Sequence, residues 1–182
     1  MTTRKQPATF FLIGQRGSGK TTVGRLLAER LALPFLDTDA MVEAEAGRSI
    51  AGIVEEQGWE AFRSLESGML QRAVAVGAAV IATGGGMVLA RKNRDIMRAA
   101  GHVLYLEVPP EELCTRLERA RKLSQRPPLA KESLHEEVYR IAAERGPIYR
   151  ACAQHVVAGT LSAGEAAAAI VRLLFLENEE CL

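Results

Sequence analysis

The 182-residue sequence lacks several features that would place it in a functional class. It has no apolar run long enough to span a membrane. Its three cysteines, Cys114, Cys152 and Cys181, are too few and too far apart for a disulfide framework or a zinc site, so we expect reduced thiols. Lysine and arginine total 23 against 22 for aspartate and glutamate, which excludes the overall basic field that nucleic-acid binding usually needs. The sequence therefore predicts a small-molecule partner, with neither nucleic acid nor membrane bound.

The organisation of the chain is also predicted partly from what is missing. Residues 1–9 contain no hydrophobic segment of the kind that directs secretion, so we expect a cytoplasmic protein. No internal repeat and no low-complexity linker divides the chain, and 48% hydrophobic residues are enough for one core. We predict a single domain over residues 1–182 that is present as a monomer.

Short apolar runs alternate with longer helical patterns, which is typical of a parallel sheet covered by helices on both faces. Because the first four predicted strands are each followed by polar, glycine-rich or proline-rich sequence, their motifs are expected to meet at the carboxyl edge of the sheet. The last predicted helix begins with Ser162 and Glu165, the spacing of a capping box. The predicted strands are residues 10–13, 34–36, 79–82, 102–106 and 155–157, and the predicted helices are residues 22–31, 39–47, 50–57, 60–76, 93–99, 111–119, 133–152 and 162–176.

The most informative motif is Gly-Gln-Arg-Gly-Ser-Gly-Lys-Thr at residues 14–21, between the first predicted strand and the first predicted helix. This is the context of a P-loop, whose backbone N–H groups surround the phosphates of ATP. Lys20 would reach the β- and γ-phosphates, and the Thr21 hydroxyl would ligate Mg²⁺. A glycine-rich turn in an ordinary α/β protein is the alternative, but it gives the lysine and the threonine no role. The residues predicted to bind the nucleotide here are Gly17, Ser18, Gly19, Lys20, Thr21 and Thr22.

Acidic and glycine residues follow the second and third predicted strands. Asp37 stands where a carboxylate can hold Mg²⁺ directly or through water, and Asp39 where a carboxylate can accept a hydrogen bond and then the proton of a substrate hydroxyl. Either aspartate could instead cap the following helix. Gly84, Gly85 and Gly86 would let backbone N–H groups approach a substrate, with a structural bulge as the alternative.

Together with three further segments, these motifs resemble the shikimate kinase family. The segments are Phe-Arg-Ser-Leu-Glu at residues 62–66, Arg-Pro-Pro-Leu at 126–129 and Glu-Arg-Gly-Pro-Ile-Tyr at 144–149. The resemblance covers most of the chain and is greater to the second bacterial isoenzyme than to the first. It implies a P-loop NTPase-type fold with a mobile lid. It also implies transfer of the ATP γ-phosphate to the 3-hydroxyl of shikimate, on the route to chorismate and the aromatic amino acids.

The resemblance implies roles for several arginines. Arg63 and Arg145 would clamp the shikimate carboxylate, with Glu66 orienting Arg63, although on sequence alone either arginine could be a surface residue. The lid, at about residues 117–131, would bring Arg126 to the transferring phosphate, and Arg116 would stack on adenine. Helices at about residues 39–76 would bind the substrate. Trp59 is predicted to pack beneath these helices.

The resemblance therefore implies a shikimate kinase that uses ATP and Mg²⁺. Two alternatives stay open: another small-molecule kinase on the same fold, such as a gluconate kinase, and a nucleotide-gated binding or regulatory module without transfer activity. The implied catalytic residues are Lys20, Asp39 and Arg126, the shikimate ligands are Asp39, Arg63, Gly84, Gly85, Gly86 and Arg145, and the Mg²⁺ ligands are Thr21 and Asp37.

Overall fold

A computed structural model describes residues 8–124 and 133–176 of the chain. All neighbouring strands in its five-stranded sheet run parallel, in the order β2-β3-β1-β4-β5, which confirms the predicted fold class. Within the described residues no helix is long and apolar enough to cross a membrane. The strands are β1 (Thr9–Ile13), β2 (Phe35–Asp37), β3 (Val80–Ala82), β4 (Gly101–Glu107) and β5 (His155–Ala158).

Six of the seven α-helices lie in the connections between the strands and α7 follows the last strand, all close to the predicted positions. One difference is that residues 50–57 and 60–76, predicted as two helices, follow each other in α3 with a break at Gly58, whose φ of +81° is not helical. A short 3₁₀ helix at Met87–Leu89 was not predicted. The predicted capping box is confirmed, because the Ser162 and Glu165 side chains each accept a hydrogen bond from the other's backbone N–H. The α-helices are α1 (Lys20–Leu31), α2 (Thr38–Ala46), α3 (Ile50–Ala75), α4 (Arg91–Ala100), α5 (Pro110–Ser124), α6 (Leu134–Cys152) and α7 (Ala163–Leu176).

The central strand β1 is buried along its whole length, and its side chains alternate between two hydrophobic cores. Phe11 and Ile13 belong to a core that also contains residues of α3, α4 and α6. Phe10 and Leu12 belong to a second core formed with α1 and α7. Each fully buried large apolar side chain stabilises the fold by about 1.5–3 kcal/mol, so the continuous apolar run of β1 fixes helices on both faces of the sheet.

The carboxyl ends of β1, β2 and β3 are level with one another. Ala82 at the end of β3 pairs with Leu12 on one side and with Asp37 on the other. The Thr83 hydroxyl donates to the Leu12 carbonyl at 3.1 Å, and the Thr38 hydroxyl accepts from the Gly84 N–H at 3.0 Å. These bonds hold the P-loop, the double aspartate and the triple glycine at one edge of the sheet.

The predicted lid lies only partly within the described chain. Helix α5 continues to Ser124, so the first part of the segment at residues 117–131 is helical. Arg126 and the rest of the segment lie outside the described residues, as does Cys181. The mobile lid and the role of Arg126 therefore stay predictions.

Candidate active site

The P-loop leaves the N-terminus of α1 open. Gly19 precedes the helix with a φ of +92°, a left-handed conformation that glycine adopts without strain, and no side chain caps the helix. The space where a Gly19 side chain would stand is empty. An uncapped helix N-terminus offers N–H groups and positive partial charge, which together bind anions. The loop can therefore receive a phosphate group.

Lys20, the first residue of α1, folds back over the loop. Its ammonium group donates to the carbonyl oxygens of Gly14 and Gln15 at 2.8 and 2.9 Å, and to the Ser18 hydroxyl at 3.4 Å. Burial lowers the pKa of Lys20 to about 8, although the nearby carboxylates of Asp39 and Asp37 act in the opposite direction. Lys20 is therefore a cation at neutral pH.

Asp37 connects the P-loop helix to α2. Its Oδ2 accepts a hydrogen bond from the Thr21 hydroxyl at 2.8 Å, and its Oδ1 accepts from the backbone N–H groups of Asp39 and Ala40 at 3.1 and 3.4 Å. Asp37 therefore caps α2 through Oδ1, as the capping alternative predicts, while its Oδ2 faces Thr21. A hydroxyl and a carboxylate are hard oxygen ligands, and the described residues contain no cluster of three or more acidic, histidine or cysteine side chains that could hold a metal. Such a sparse set fits Mg²⁺, which keeps several waters and binds phosphate oxygens.

Asp39 lies in the first turn of α2 but does not cap it, so the capping alternative is wrong for this residue. Its Oδ1 is buried and accepts no hydrogen bond from the described residues. Burial raises the pKa of the Asp39 carboxyl above its usual 3.8, and Asp37 and Glu43 add to this effect while Lys20 and Arg63 oppose it. A buried acceptor without a donor is well placed to receive a substrate hydroxyl.

Arg63 and Glu66 form a partly buried ion pair on α3, as their spacing of three predicts. Arg63 Nη1 donates to Glu66 Oε2 at 2.6 Å. Glu66 is only 1% exposed, and its other oxygen, Oε1, accepts no hydrogen bond from the described residues. Burial raises the pKa of Glu66, while the bond from Arg63 acts against this increase. Glu66 therefore both orients Arg63 and presents a second acceptor without a donor.

The triple glycine lies against these side chains. A methyl group on Gly84 would overlap the free carboxylate oxygens of both Asp39 and Glu66. A methyl group on Gly86 would overlap the guanidinium of Arg63. A side chain on Gly84 or Gly86 would therefore displace these charged groups, whereas a simple structural bulge gives no reason for such close approach.

Trp59 covers Arg63 from the solvent side. The Arg63 guanidinium carbon lies 5.3 Å from the centre of the Trp59 ring and 5.0 Å from that of Phe62, within the range of cation–π attraction. The Trp59 side chain is 61% exposed, so the prediction that it packs beneath the helices is wrong. Trp59 directly follows Gly58, where the helical backbone of α3 is interrupted. The buried face of the preceding helical segment therefore does not continue to Trp59.

Helix α6 brings Arg145 to the other side of the triple glycine. Arg145 Nη1 donates to the Gly85 carbonyl at 3.3 Å, and the Tyr149 hydroxyl donates to the same oxygen at 2.5 Å. The structure therefore brings together all the predicted substrate ligands: Asp39, Arg63, Gly84, Gly85, Gly86 and Arg145. Tyr149 was not predicted, although it lies four residues after Arg145 and so shares its helix face.

A cavity of about 250 Å³ adjoins the P-loop. Arg116 lies on its wall, donating to Glu112 Oε1 at 2.9 Å and to the Gly159 carbonyl at 2.7 Å. The contact of Arg116 with adenine stays a prediction, and the cavity residues contributed by the loop after β5 were not among the predicted nucleotide ligands. The cavity is lined by Ser18, Gly19, Thr22, Val23, Leu106, Arg116, Gly159, Leu161, Ser162, Ala163 and Ala166.

Comparisons with known proteins point to one family. A family model described as shikimate kinase matches residues 16–175. The shikimate kinase of Nitratidesulfovibrio vulgaris is 50% identical over 149 residues, which cover 82% of this chain and 85% of the relative. Shikimate kinase 2 of an Enterobacter strain is 46% identical over 166 residues, which cover 91% of this chain and 95% of the relative.

The similarity extends to solved structures. The structure of shikimate kinase from Acinetobacter baumannii in complex with shikimate matches 93% of this chain and 94% of its own, with a TM-score of 0.85 and 34% identity. A gluconokinase from Sinorhizobium meliloti matches with a TM-score of 0.53 and 17% identity, which is a likeness of fold alone.

Proposed function

The chain belongs to the shikimate kinase family, and we propose that it transfers the γ-phosphoryl group of MgATP to the 3-hydroxyl of shikimate. The products would be shikimate 3-phosphate and ADP. One observation carries the assignment of the substrate site: two arginines and two buried carboxylate oxygens without a donor surround the triple glycine. This set of charges and acceptors complements a small ring that bears a carboxylate and several hydroxyl groups.

The two arginines would bind the substrate carboxylate. Guanidinium groups hold carboxylates with parallel N–H bonds, and Arg63 and Arg145 reach the triple glycine from opposite helices, α3 and α6. The hydroxyl groups would donate to Asp39 Oδ1 and Glu66 Oε1. A substrate hydroxyl that donates to either oxygen would supply a hydrogen bond that no described residue provides.

Asp39 is the proposed general base. Its raised pKa makes its carboxylate a better proton acceptor than an ordinary aspartate. The transferring phosphoryl group reacts through a loose transition state, so the proton of the 3-hydroxyl moves to Asp39 as the new bond to phosphorus forms. Lys20 would exchange its bonds to the loop carbonyls for bonds to the β- and γ-phosphates.

Thr21 and Asp37 would hold Mg²⁺, alone or through water. Their mutual hydrogen bond shows that the two oxygens lie side by side at the open end of the P-loop. When bound, Mg²⁺ would neutralise negative charge on the β- and γ-phosphate oxygens. Arg116 would contact the adenine and Arg126 the transferring phosphate, and we place the reaction in the cytoplasm.

A coupled assay of ADP release with shikimate, quinate and gluconate tests the proposal. We expect shikimate to give the highest kcat/KM, because its ring carboxylate and hydroxyls match the four charged side chains. A preference for gluconate would favour the alternative kinase. Tight ATP binding with no turnover of any of the three acids would favour the regulatory module.

A further inference from the structure

Tyr149 is a buried residue to which the motifs and the proposed mechanism give no role. It lies on α6 one helical turn after Arg145, and it is 1% exposed. We propose that Tyr149 is a positioning residue, whose hydroxyl fixes the Gly85 carbonyl and thereby the Arg145 guanidinium where the substrate carboxylate binds. This inference rests on the proposed function, because it takes Arg145 as a carboxylate ligand.

The Gly85 carbonyl oxygen is shared by two donors from one helix. The Tyr149 hydroxyl reaches it at 2.5 Å, whereas Arg145 Nη1 reaches it at 3.3 Å. The shorter bond fixes the oxygen, and the longer bond aligns the guanidinium against it. A guanidinium has five N–H donors, so Arg145 keeps donors for a ligand while one is engaged with Gly85.

The Tyr149 hydroxyl stays protonated, and its position is restricted. Burial raises the pKa of Tyr149 to about 12, although Arg145 opposes this effect through its charge and as a hydrogen-bond partner. The hydroxyl therefore keeps its proton at neutral and moderately alkaline pH. The Tyr149 ring stacks on Tyr105, with ring centres 5.1 Å apart and planes at 21°, which limits its rotation within the core.

Gly85 is also next to the nucleotide loop. A methyl group on Gly85 would lie 3.4 Å from the Arg16 nitrogen and 3.5 Å from the Gly14 oxygen. The glycine turn thus lies close to both the P-loop and the Tyr149 hydroxyl, and its Gly85 carbonyl accepts from Tyr149 and Arg145. This arrangement keeps the carboxylate-binding arginine at a set distance from the phosphates, which the transfer reaction requires.

Tyr149→Phe tests the proposal because it removes the hydroxyl and keeps the stacked ring. We expect the KM and Kd for shikimate to rise about five- to tenfold, with kcat and the KM for ATP changed less than about twofold. Tyr105→Phe is the matched control, since it removes the same atom from the other ring of the stack. Its KM for shikimate should stay within about twofold of the wild-type value.

A double-mutant cycle separates positioning from general packing. Arg145→Lys keeps a positive charge but loses the planar guanidinium that Tyr149 would align. In this background, Tyr149→Phe should cause no further loss of kcat/KM for shikimate. A fully additive loss, or a loss in Tyr149→Phe no larger than in Tyr105→Phe, would overturn the positioning role.

Thermal unfolding checks that Tyr149→Phe is folded. If it is not, 3,5-difluorotyrosine at position 149 keeps the ring and the hydroxyl but ionises at lower pH. Shikimate binding should then be lost at a lower alkaline pH than in the wild type, while nucleotide binding is not. If shikimate binding is lost at the same alkaline pH in both proteins, the proposal is contradicted. The groups that face this hydroxyl are Arg145 on α6, Tyr105 on β4 and Glu66 on α3.

Different results would overturn the proposed function and the positioning role of Tyr149. A wild-type protein that does not phosphorylate shikimate would overturn the proposed function and the positioning role with it. A wild-type protein that phosphorylates shikimate, together with a Tyr149→Phe variant that behaves like Tyr105→Phe, would overturn the positioning role alone.

Discussion

At the scale of single residues, charged side chains of the candidate site are held in position before any ligand binds. The Lys20 ammonium is held by three oxygens of its own loop, and Asp39 and Glu66 each have one buried carboxylate oxygen that receives no donor from the described residues. A substrate with matching hydroxyls can donate to both oxygens, and a chemically similar acid without those hydroxyls cannot.

Lys20→Met should reduce kcat by about 10²-fold or more, because it removes a preorganised positive charge from the transferring phosphate. The protein should stay folded, since the P-loop backbone conformation is set mainly by its glycines. Steady-state kinetics and thermal unfolding measure the two effects. Lys92→Met, which changes an exposed lysine of α4, is the control and should leave kcat unchanged. Near-normal turnover by Lys20→Met would contradict the P-loop assignment.

The pH dependence of kcat/KM for shikimate should report Asp39. Asp39 must be ionised to accept a proton, and its pKa is raised, so activity should fall with decreasing pH at a value above the ordinary aspartate pKa of 3.8. Because Glu43 contributes to this increase, Glu43→Gln should move the acid limb to lower pH. A pH–rate profile of both proteins checks this. An acid limb at or below 3.8 would contradict the role of Asp39 as a buried base.

Whole elements place these residues, and the sequence predicts the elements better than the contacts between them. The strands are identifiable because β1, β3 and β4 are apolar runs, and the start of α7 because Ser162 begins a capping box; a second capping box, at Ser133 of α6, was not predicted. The fold, Asp39 and the triple glycine followed from the motifs at strand ends, whereas Arg63 and Arg145, on α3 and α6, were predicted only from the resemblance to the family.

Contacts between distant segments were not predictable in the same way. The bond from Tyr149 to Gly85 depends on how far α6 is rotated about its axis and shifted along the sheet, which no local pattern specifies. The prediction for Trp59 is wrong for a related reason. An aromatic residue in a helical pattern suggests burial, but the break at Gly58 leaves Trp59 beside Arg63 at the surface. The 3₁₀ helix after Gly86 is too short to give a periodic signal.

Gly86→Ala should weaken shikimate binding by about tenfold or more, because the added methyl group overlaps the Arg63 guanidinium and displaces it. The affinity for ATP should be nearly unchanged. Gly146→Ala is the control, since it lies beside Arg145 within α6 and its added methyl group meets no atom within 4 Å. That variant should bind shikimate normally and be stabilised by up to about 1 kcal/mol, as expected for alanine in a helix. Equal shikimate affinity in both variants would contradict the placement of Arg63.

At the scale of the whole molecule, the two proposed ligand sites share one sheet edge. The proposed nucleotide site is formed by α1, the loop after β5 and α5, whereas the proposed shikimate site is formed by α2, α3, α6 and the triple glycine. The predicted single domain is consistent with the one continuous sheet, and the monomeric state stays a prediction.

Each ligand should raise the midpoint of thermal unfolding separately. A ligand present at 100 times its Kd stabilises by about 2.7 kcal/mol, which corresponds to a rise of about 5–10 °C for a chain of this length. With a non-hydrolysable ATP analogue, chelation of Mg²⁺ should remove most of the nucleotide-dependent rise and leave the shikimate-dependent rise intact. Differential scanning calorimetry measures both. A nucleotide effect that persists in full under chelation would contradict the assignment of Thr21 and Asp37 as Mg²⁺ ligands.

The P-loop of this chain is also attached at a position that the motif leaves open. Gln15 is buried, and its side-chain amide donates to the Val138 carbonyl of α6 at 3.1 Å, across 123 positions of sequence. The variable positions of a phosphate-binding motif are usually treated as interchangeable among proteins that share the motif. Here one of these variable positions, Gln15, makes a contact that depends on α6 of this fold. A chimera that carries the loop of an unrelated nucleotide-binding protein should therefore keep its phosphate contacts but lose this anchor to α6, so transplanting the loop requires position 15 to stay glutamine.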